Sequence, residues 1–272
     1  MSDAWFAEKL APEGVADDGC HPQEAQALQG YMHRKTSAQE AARAITRPVE
    51  SAADPGAHLA RLWGFLIDAL VELPETQTAG LVQLLDAVQS LPEPDLTGRR
   101  TVNTPPDGFL WRDLPGFGHQ WADEHKRDDW RGLLAESDPA QRSTLRALHV
   151  KKARIEAQFV IAAIGAFPLD WGYDCICDAL ERKDPVSDFE VPAAAAWLAL
   201  AGDRIRAGAV GGQKSWALER RRDLWSGDNA MSLERWSFWE SRLEALLDKA
   251  EATQDAARAA IRDMQASATA SS

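Results

Sequence analysis

The chain has 272 residues, 45% of them hydrophobic and 26% charged, which is enough apolar material for a sizeable core. Its net charge of −12 at pH 7 argues against nucleic acid or an anionic membrane as the main partner, since both require a basic surface. Three cysteines without a C-x-x-C pair argue against a disulfide framework and favour a reducing compartment. We expect a cytoplasmic protein, with the nucleus as the alternative, because the first residues show no signal-peptide pattern.

Apolar residues recur at three- and four-residue steps along most of the chain, and no stretch alternates as a strand would. This pattern predicts an all-α fold, a single irregular bundle of roughly nine or ten helices with a long Pro-rich internal loop. Residues 22–265 are expected to form one helical domain. We expect a partly disordered N-terminal arm over residues 1–21 and a frayed tail over residues 266–272.

Capping residues and helix-breaking prolines set the expected helix ends. Ser37 and Glu40 have the spacing of a capping box, and the helix that they open is expected to stop before Pro48. Residues 91–116 contain five prolines and three glycines, which indicates a long connection with a packed second half. One long helix is expected from Pro139 to about Phe167, and another is expected to begin at Pro192.

Residues 224–240 are the densest in large aromatic side chains. A turn precedes Ser232, a suitable N-cap, and Trp236 and Trp239 then fall on one face of the final helix. The simpler interpretation is that these two rings anchor that helix to the core, since aromatics at helical spacing are usually buried. The alternative is that they line a ligand pocket opposite Trp225.

Two charged segments raise the question of ion or metal binding. Asp170, Asp174 and Asp178 share one helix face and could hold Mg²⁺, but a solvated acidic face explains the spacing equally well. We therefore predict no metal site and no cofactor. Residues 203–222 carry six basic and two acidic side chains, so they could receive an anionic partner or pair with the chain's own acids.

Residues suited to acid–base chemistry are few and scattered. His119 and Asp123 are four residues apart and could form a general base, with Asp113 as a further candidate. Cys20 and His21 are adjacent, but neighbours in sequence seldom point together, so we discount them as a catalytic pair. The glycines between Gly208 and Gly212 lack the G-K-[ST] ending of a phosphate loop and indicate a connector.

Five short motifs together resemble a known family. They are Leu62-Trp63, L-V-x-L-L over 81–85, W-R-D-L-P-G-F over 111–117, L-W-x-G over 224–227 and S-L-E-R-W-x-F-W over 232–239. The chain resembles a fungal all-helical family, number 3632 in the series of domains of unknown function, over roughly residues 55–250. The resemblance implies an intracellular helical protein and carries no catalytic residues.

The sequence therefore favours a non-catalytic binding or interaction module with a Trp-lined groove or pocket. The expected partner is an apolar small molecule or a protein, with no role for nucleic acid or a membrane, and the oligomeric state stays open. The alternative is a small helical cyclase, isomerase or hydrolase that acts on an apolar metabolite. The candidate ligand-binding residues are Trp63, Trp111, Arg112, Trp121, Trp225, Arg235, Trp236 and Trp239.

Overall fold

A computed structural model describes residues 3–10, 19–125, 130–220, 222–249 and 251–270. These ranges contain thirteen α-helices, ten of them nine residues or longer, and no β-strand, which confirms the all-α prediction. None of the described helices is long and apolar enough to cross a membrane. The chain divides into two compact units, Met1–Asp128 with Ala162–Ala166 (unit 1), and Asp129–Ile161 with Phe167–Ser272 (unit 2).

Unit 1 is built around an apolar helix. Leu62, Trp63, Phe65, Leu66 and Leu70 on that helix are all nearly inaccessible to solvent, as the helical spacing predicts. Single-turn 3₁₀ helices at Gly56–His58 and Glu75–Gln77 join its helices, and a third at Ile164–Ala166 belongs to the same unit. The α-helices of unit 1 are α1 (Asp3–Lys9), α2 (Pro22–Met32), α3 (Ala38–Ser51), α4 (Leu59–Glu72), α5 (Thr78–Gln89) and α6 (Phe117–His125).

The capping box of α3 is present, but the predicted end of that helix is wrong. The Ser37 side chain accepts the backbone N–H of Glu40, and Glu40 accepts the backbone N–H of Ser37 in return. The helix continues through Pro48 to Ser51. Only the last turn lies beyond the proline, and the buried side chains of Ile45 and Val49 hold that turn against the core.

The first residues dock onto the body of unit 1 in the ranges that the structure describes. Phe6 is buried, Trp5 is half-buried, and the backbone N–H of Cys20 donates to Lys9. The long connection between α5 and α6 is also present as predicted, and its second half is packed down, since Leu110, Trp111 and Leu114 are buried. Both segments therefore contribute to the core despite their lack of regular patterning.

Unit 2 is organised by α10, which packs against α8, α9 and α13. Alanines along α10 leave room for those helices, and Gly172 on α9 leaves room for Trp197, because a Cβ there would lie 2.7 Å from the indole ring. The α-helices of unit 2 are α7 (Trp130–Glu136), α8 (Pro139–Ile161), α9 (Asp170–Leu180), α10 (Ser187–Gly211), α11 (Trp216–Glu219), α12 (Leu233–Glu244) and α13 (Glu251–Ala270).

Two expected helix ends in the second half of the chain are wrong. The helix that starts at Pro139 ends at Ile161, because Ala163 and Ala166 have φ of 53° and 51°, which no right-handed helix accommodates. Helix α10 begins at Ser187 rather than Pro192, since the Glu190 carboxylate accepts the backbone N–H of Val186 at 2.6 Å and caps an earlier turn.

The stripe that begins at Trp236 belongs to two helices rather than one. The apolar spacing after Trp239 also predicts that Ala250 faces inward on the same helix. Residues 245–249 instead form turns between α12 and α13, and Ala250 lies outside the described residues. Helix α13 runs on to Ala270, through most of the stretch where we expected fraying. The expectation of a single domain over residues 22–265 stays a prediction, because compact units are defined by contacts and not by independent folding.

Candidate functional site

The three candidate tryptophans of unit 1 lie in its core. Trp63 and Trp111 pack edge to face with ring centroids 6.2 Å apart, and Trp121 is fully buried as well. The Trp63 indole N–H donates to the Pro115 carbonyl at 2.8 Å, and that of Trp111 donates to Glu50 Oε1 at 3.1 Å. These rings therefore join the loop before α6 to helices α3 and α4, which is what the core interpretation predicts.

A carboxylate fixes the loop that carries Trp111. Glu93 Oε2 accepts the backbone N–H of Leu110 at 2.7 Å, and Glu93 Oε1 accepts those of Trp111 and Arg112 at 3.2 and 2.8 Å. Three successive N–H groups converging on one anion make a rigid loop. The Arg112 side chain itself is exposed, with its guanidinium 4.0 Å from the centroid of the Phe109 ring.

In unit 2, the candidates Arg235 and Trp239 meet a buried glutamate that the sequence analysis missed. Arg235 Nε and Nη2 each donate to one oxygen of Glu181 at 2.7 Å, and the Trp239 indole N–H donates to Glu181 Oε1 at 2.7 Å. Glu181 and Arg235 are both fully buried. We call these three side chains the Glu181 centre.

The Glu181 centre is completed by weaker contacts. Arg235 Nη2 lies 3.6 Å from the Cys177 sulfur, and burial raises the pKa of that thiol well above its usual range. Trp225 is half-buried, with its ring centroid 5.3 Å from the Arg235 guanidinium, whereas Trp236 is buried beneath Arg206. The charges of this centre are matched internally, so neither Glu181 nor Arg235 is buried without a counter-ion.

The acidic face of α9 is occupied by arginines of its own chain. Arg222 bridges Asp174 and Asp178 at 2.7 and 2.9 Å, and Arg220 adds a second contact to Asp174 at 3.1 Å. Asp170 accepts a hydrogen bond from the Ser215 hydroxyl at 2.5 Å.

Two arginines of the basic segment over residues 203–222, Arg220 and Arg222, thus pair with the chain's own acids. Arg221 lies outside the described residues. Within the described ranges, no group of three or more His, Cys, Asp or Glu side chains is arranged to hold a metal ion.

The candidate acid–base residues are exposed. Asp113, His119 and Asp123 all lie on the surface of unit 1, and Asp113 has the left-handed φ of 57° that the turn before α6 requires. Cys20 and His21 have separate structural roles. The His21 side chain accepts the backbone N–H of Gln23 and caps α2, whereas Cys20 is buried.

Two open clefts occur among the described residues of unit 1, and neither is lined by a candidate residue of the sequence analysis. One cleft of about 510 Å³ lies between α2 and α3, and its lining includes three glutamines and three alanines. The other, of about 540 Å³, lies beside α1 and α4, and we call it the α1–α4 cleft. Both volumes are in the range of small-ligand sites.

The α1–α4 cleft has small residues on its floor and polar walls. Ala57, Ala60 and Gly64 form one side of the floor, and Gln120 of α6 approaches Gly64 so closely that a Cβ there would lie 2.9 Å from its Nε2. The polar wall residues are Glu8, Lys9, Arg61, Asp68 and Gln120.

Two of the wall cations are held in place by acids. Arg61 pairs with both oxygens of Glu24, which is fully buried, and Lys9 Nζ lies 2.7 Å from Asp68 and from Glu72. Burial is the main cause that raises the pKa of the adjoining Cys20 thiol to about 11. No motif signals this cleft, because its residues come from α1, the segment before α2, α4 and α6.

These features define an all-helical protein with a polar cleft in unit 1 and a buried ion-pair centre in unit 2. Residues 63–243 match the family described as "Protein of unknown function (DUF3632)", and the chain belongs to that family. The resemblance inferred from the tryptophan-containing motifs is thereby confirmed. Comparisons with curated proteins and with solved structures give no match.

Proposed function

We propose that the protein is a non-catalytic interaction module and that it binds a short polar segment of a partner protein in the α1–α4 cleft. The observation that carries this proposal is the lining of the cleft. Ala57 and Ala60 on its floor leave room for a peptide backbone close to α4, and its walls offer side chains of both charges with the amide of Gln120. A peptide has donors and acceptors in alternation, and these walls match both kinds.

The positions of the tryptophans favour a polar cleft as the binding site and argue against a Trp-lined pocket. Trp63, Trp111 and Trp239 are buried, and their N–H groups are already bonded within the chain. Arg112 and Trp225 keep part of their surface accessible and are the members of that predicted set best placed for a ligand.

The enzyme alternative has less support. Asp113, His119 and Asp123 line neither described cleft, so an apolar metabolite bound in either one would lie away from all three. The same proposal includes a cytoplasmic location, which the three free cysteines favour, and a protein partner in preference to nucleic acid or a membrane, which the charge of −12 favours.

A cleft-filling substitution tests the proposal. Ala60 is exposed on α4 and lines the cleft, so Ala60→Trp places an indole in the space that a peptide would use. Ala79 is exposed on α5 and lines neither cleft, so Ala79→Trp is the matched control. Peptides selected from a random 12-residue library on the natural chain are measured against both variants by fluorescence anisotropy.

We expect the selected peptides to bind the natural chain and Ala79→Trp with equal Kd, and Ala60→Trp at least about ten-fold more weakly. Equal binding to Ala60→Trp would place the peptide site elsewhere and refute the proposal. A selection that yields no binding peptide would refute it as well.

A further inference from the structure

The first helix covers one defined face of α4. The Trp5 ring stacks on Phe65 with centroids 5.7 Å apart, and its indole N–H donates to Glu72 at 2.7 Å. Lys9 lies one helical turn after Trp5 and donates to both Asp68 and Glu72 at 2.7 Å. Residues 65, 68 and 72 are three and four positions apart, so they share one face of α4. We call Phe65, Asp68 and Glu72 the α4 face.

The α4 face carries two neighbouring carboxylates and therefore favours a cation beside it. Asp68 and Glu72 are two carboxylates one turn apart, and like charges at this spacing repel each other. Lys9 lies between them and relieves the repulsion. Burial alone lowers the pKa of Lys9, but its hydrogen bonds and attraction to Asp68 and Glu72 outweigh that effect and raise the pKa. The face therefore selects an aromatic ring followed by a positive charge.

The contact between α1 and the α4 face stays open to solvent. The side chains of Lys9, Asp68 and Glu72 are 21%, 38% and 42% exposed. Trp5 is half-buried, whereas Trp63, Trp111 and Trp121 in the same unit are at most 1% exposed. Exposed ion pairs contribute little to stability, so the side chains of α1 that lie on this face are held less firmly than the buried tryptophans of the same unit. Phe6 and the Cys20–Lys9 backbone bond hold the other side of α1.

We propose that the α4 face is an interaction surface for a helical segment that carries an aromatic residue and, four positions later, a lysine or arginine. In the isolated chain, Trp5 and Lys9 of α1 occupy this surface in place of the partner. The inference goes beyond the proposed function, because it concerns the surface of α4 that α1 covers. This surface adjoins the α1–α4 cleft, and Phe65 and Asp68 contribute to both. Helix-in-groove recognition of this kind uses anchors at three- and four-residue spacing.

The test uses the full chain and a fluorescein-labelled peptide with the sequence of residues 3–10. Lys9→Glu places a third acid against Asp68 and Glu72 and weakens the hold of α1 on the face. We expect the labelled peptide to bind Lys9→Glu at least about ten-fold more tightly than the natural chain, by fluorescence anisotropy. Lys35→Glu, at an exposed lysine elsewhere in unit 1, is the charge-matched control and is expected to bind as the natural chain does.

A second set of variants tests the face itself. The triple variant Lys9→Glu, Asp68→Asn and Glu72→Gln is expected to bind the labelled peptide at least about ten-fold more weakly than Lys9→Glu alone. Its helical circular dichroism is expected to be unchanged. The proposal is overturned if Lys9→Glu binds the peptide no better than the natural chain, or if the neutralised face binds it equally well. A natural chain that dimerises, and becomes monomeric with Lys9→Glu, would assign the face to a second copy and overturn it too.

Ala60→Trp separates this inference from the proposed function. In the Lys9→Glu background it fills the cleft, and we expect the affinity for the labelled peptide to stay within about three-fold. A larger loss would assign the peptide to the cleft and overturn the inference about the α4 face. If the library selection for the cleft yields no binding peptide, the result for the labelled peptide on the α4 face is unaffected. The two experiments use different ligands and different variants.

Discussion

At the scale of single residues, the three cysteines have very different surroundings. Cys20 is 2% exposed and Cys177 is fully buried, whereas Cys175 is partly exposed on α9. Burial raises the pKa of Cys20 to about 11 and that of Cys177 well above its usual range. A thiol that is both covered and protonated reacts slowly, because the thiolate is the nucleophile.

We therefore expect iodoacetamide at pH 8 to modify Cys175 first in the folded chain. Tandem mass spectrometry of tryptic peptides follows the three sites over time, since fragmentation distinguishes Cys175 from Cys177 within one peptide, and we expect Cys20 and Cys177 to react at least about ten-fold more slowly. All three should react at similar rates in guanidinium chloride, which controls for intrinsic reactivity. Fast modification of Cys20 in the folded chain would contradict the burial described for it.

At the level of secondary structure, the apolar spacing predicted which segments are helical, but it did not predict where the helices end. Prolines 48 and 192 both lie inside helices, where the sequence rule predicts a boundary. In α10 the deciding group is Glu190, whose carboxylate caps the earlier turn. Nothing local distinguishes this glutamate from a surface one, since its role depends on the fold that buries it. Helix ends are therefore set by tertiary contacts that periodicity does not report.

Alanine substitutions at two glycines of α10 distinguish the effect of helix propensity from the effect of packing. A Cβ at Gly208 would collide with the Tyr173 hydroxyl and lie 2.6 Å from Gln213 Oε1, two atoms that share a hydrogen bond of 2.8 Å. A Cβ at Gly211 meets nothing within 4 Å. We expect Gly211→Ala to stabilise the protein by up to about 1 kcal/mol, because alanine favours the helix.

For Gly208→Ala, we expect the free energy of unfolding to fall by about 1–3 kcal/mol, because the added methyl group overpacks the site. This loss outweighs the gain in helix propensity that alanine brings at either position. Urea unfolding followed by circular dichroism gives both values. A Gly208→Ala variant as stable as Gly211→Ala would show that Tyr173 and Gln213 move apart without cost.

At the scale of the whole molecule, the sequence predicted the fold class and the family but not the position of a site. The tryptophan stripes predicted buried helix faces, and most of these rings are indeed buried. The α1–α4 cleft was missed because its lining comes from segments up to about a hundred residues apart, none with a distinctive motif. The partner of Arg235 was missed for the same reason, since Glu181 is 54 residues away in the chain.

The Glu181 centre gives the sharpest test of how unit 2 is held together. Glu181→Gln leaves the Arg235 guanidinium fully buried and without its counter-ion, so we expect the free energy of unfolding to fall by about 3–5 kcal/mol. Asp174→Asn is the control, because Asp174 is partly exposed and its partner Arg222 keeps its contact with Asp178. The free energy of unfolding of Asp174→Asn should fall by no more than about 1 kcal/mol.

The double variant Glu181→Met with Arg235→Met removes both charges together and leaves no buried ion. We expect it to be more stable than Glu181→Gln, because the apolar pair fills the space without an uncompensated charge, although the Trp239 indole N–H loses its acceptor. Urea unfolding of the three variants and the natural chain gives the free energy of unfolding of each and so ranks their stabilities. If Glu181→Gln cost no more than Asp174→Asn, the buried pair would not be a major source of stability, and the aromatic packing of Trp239 and Trp236 would have to hold α12 instead.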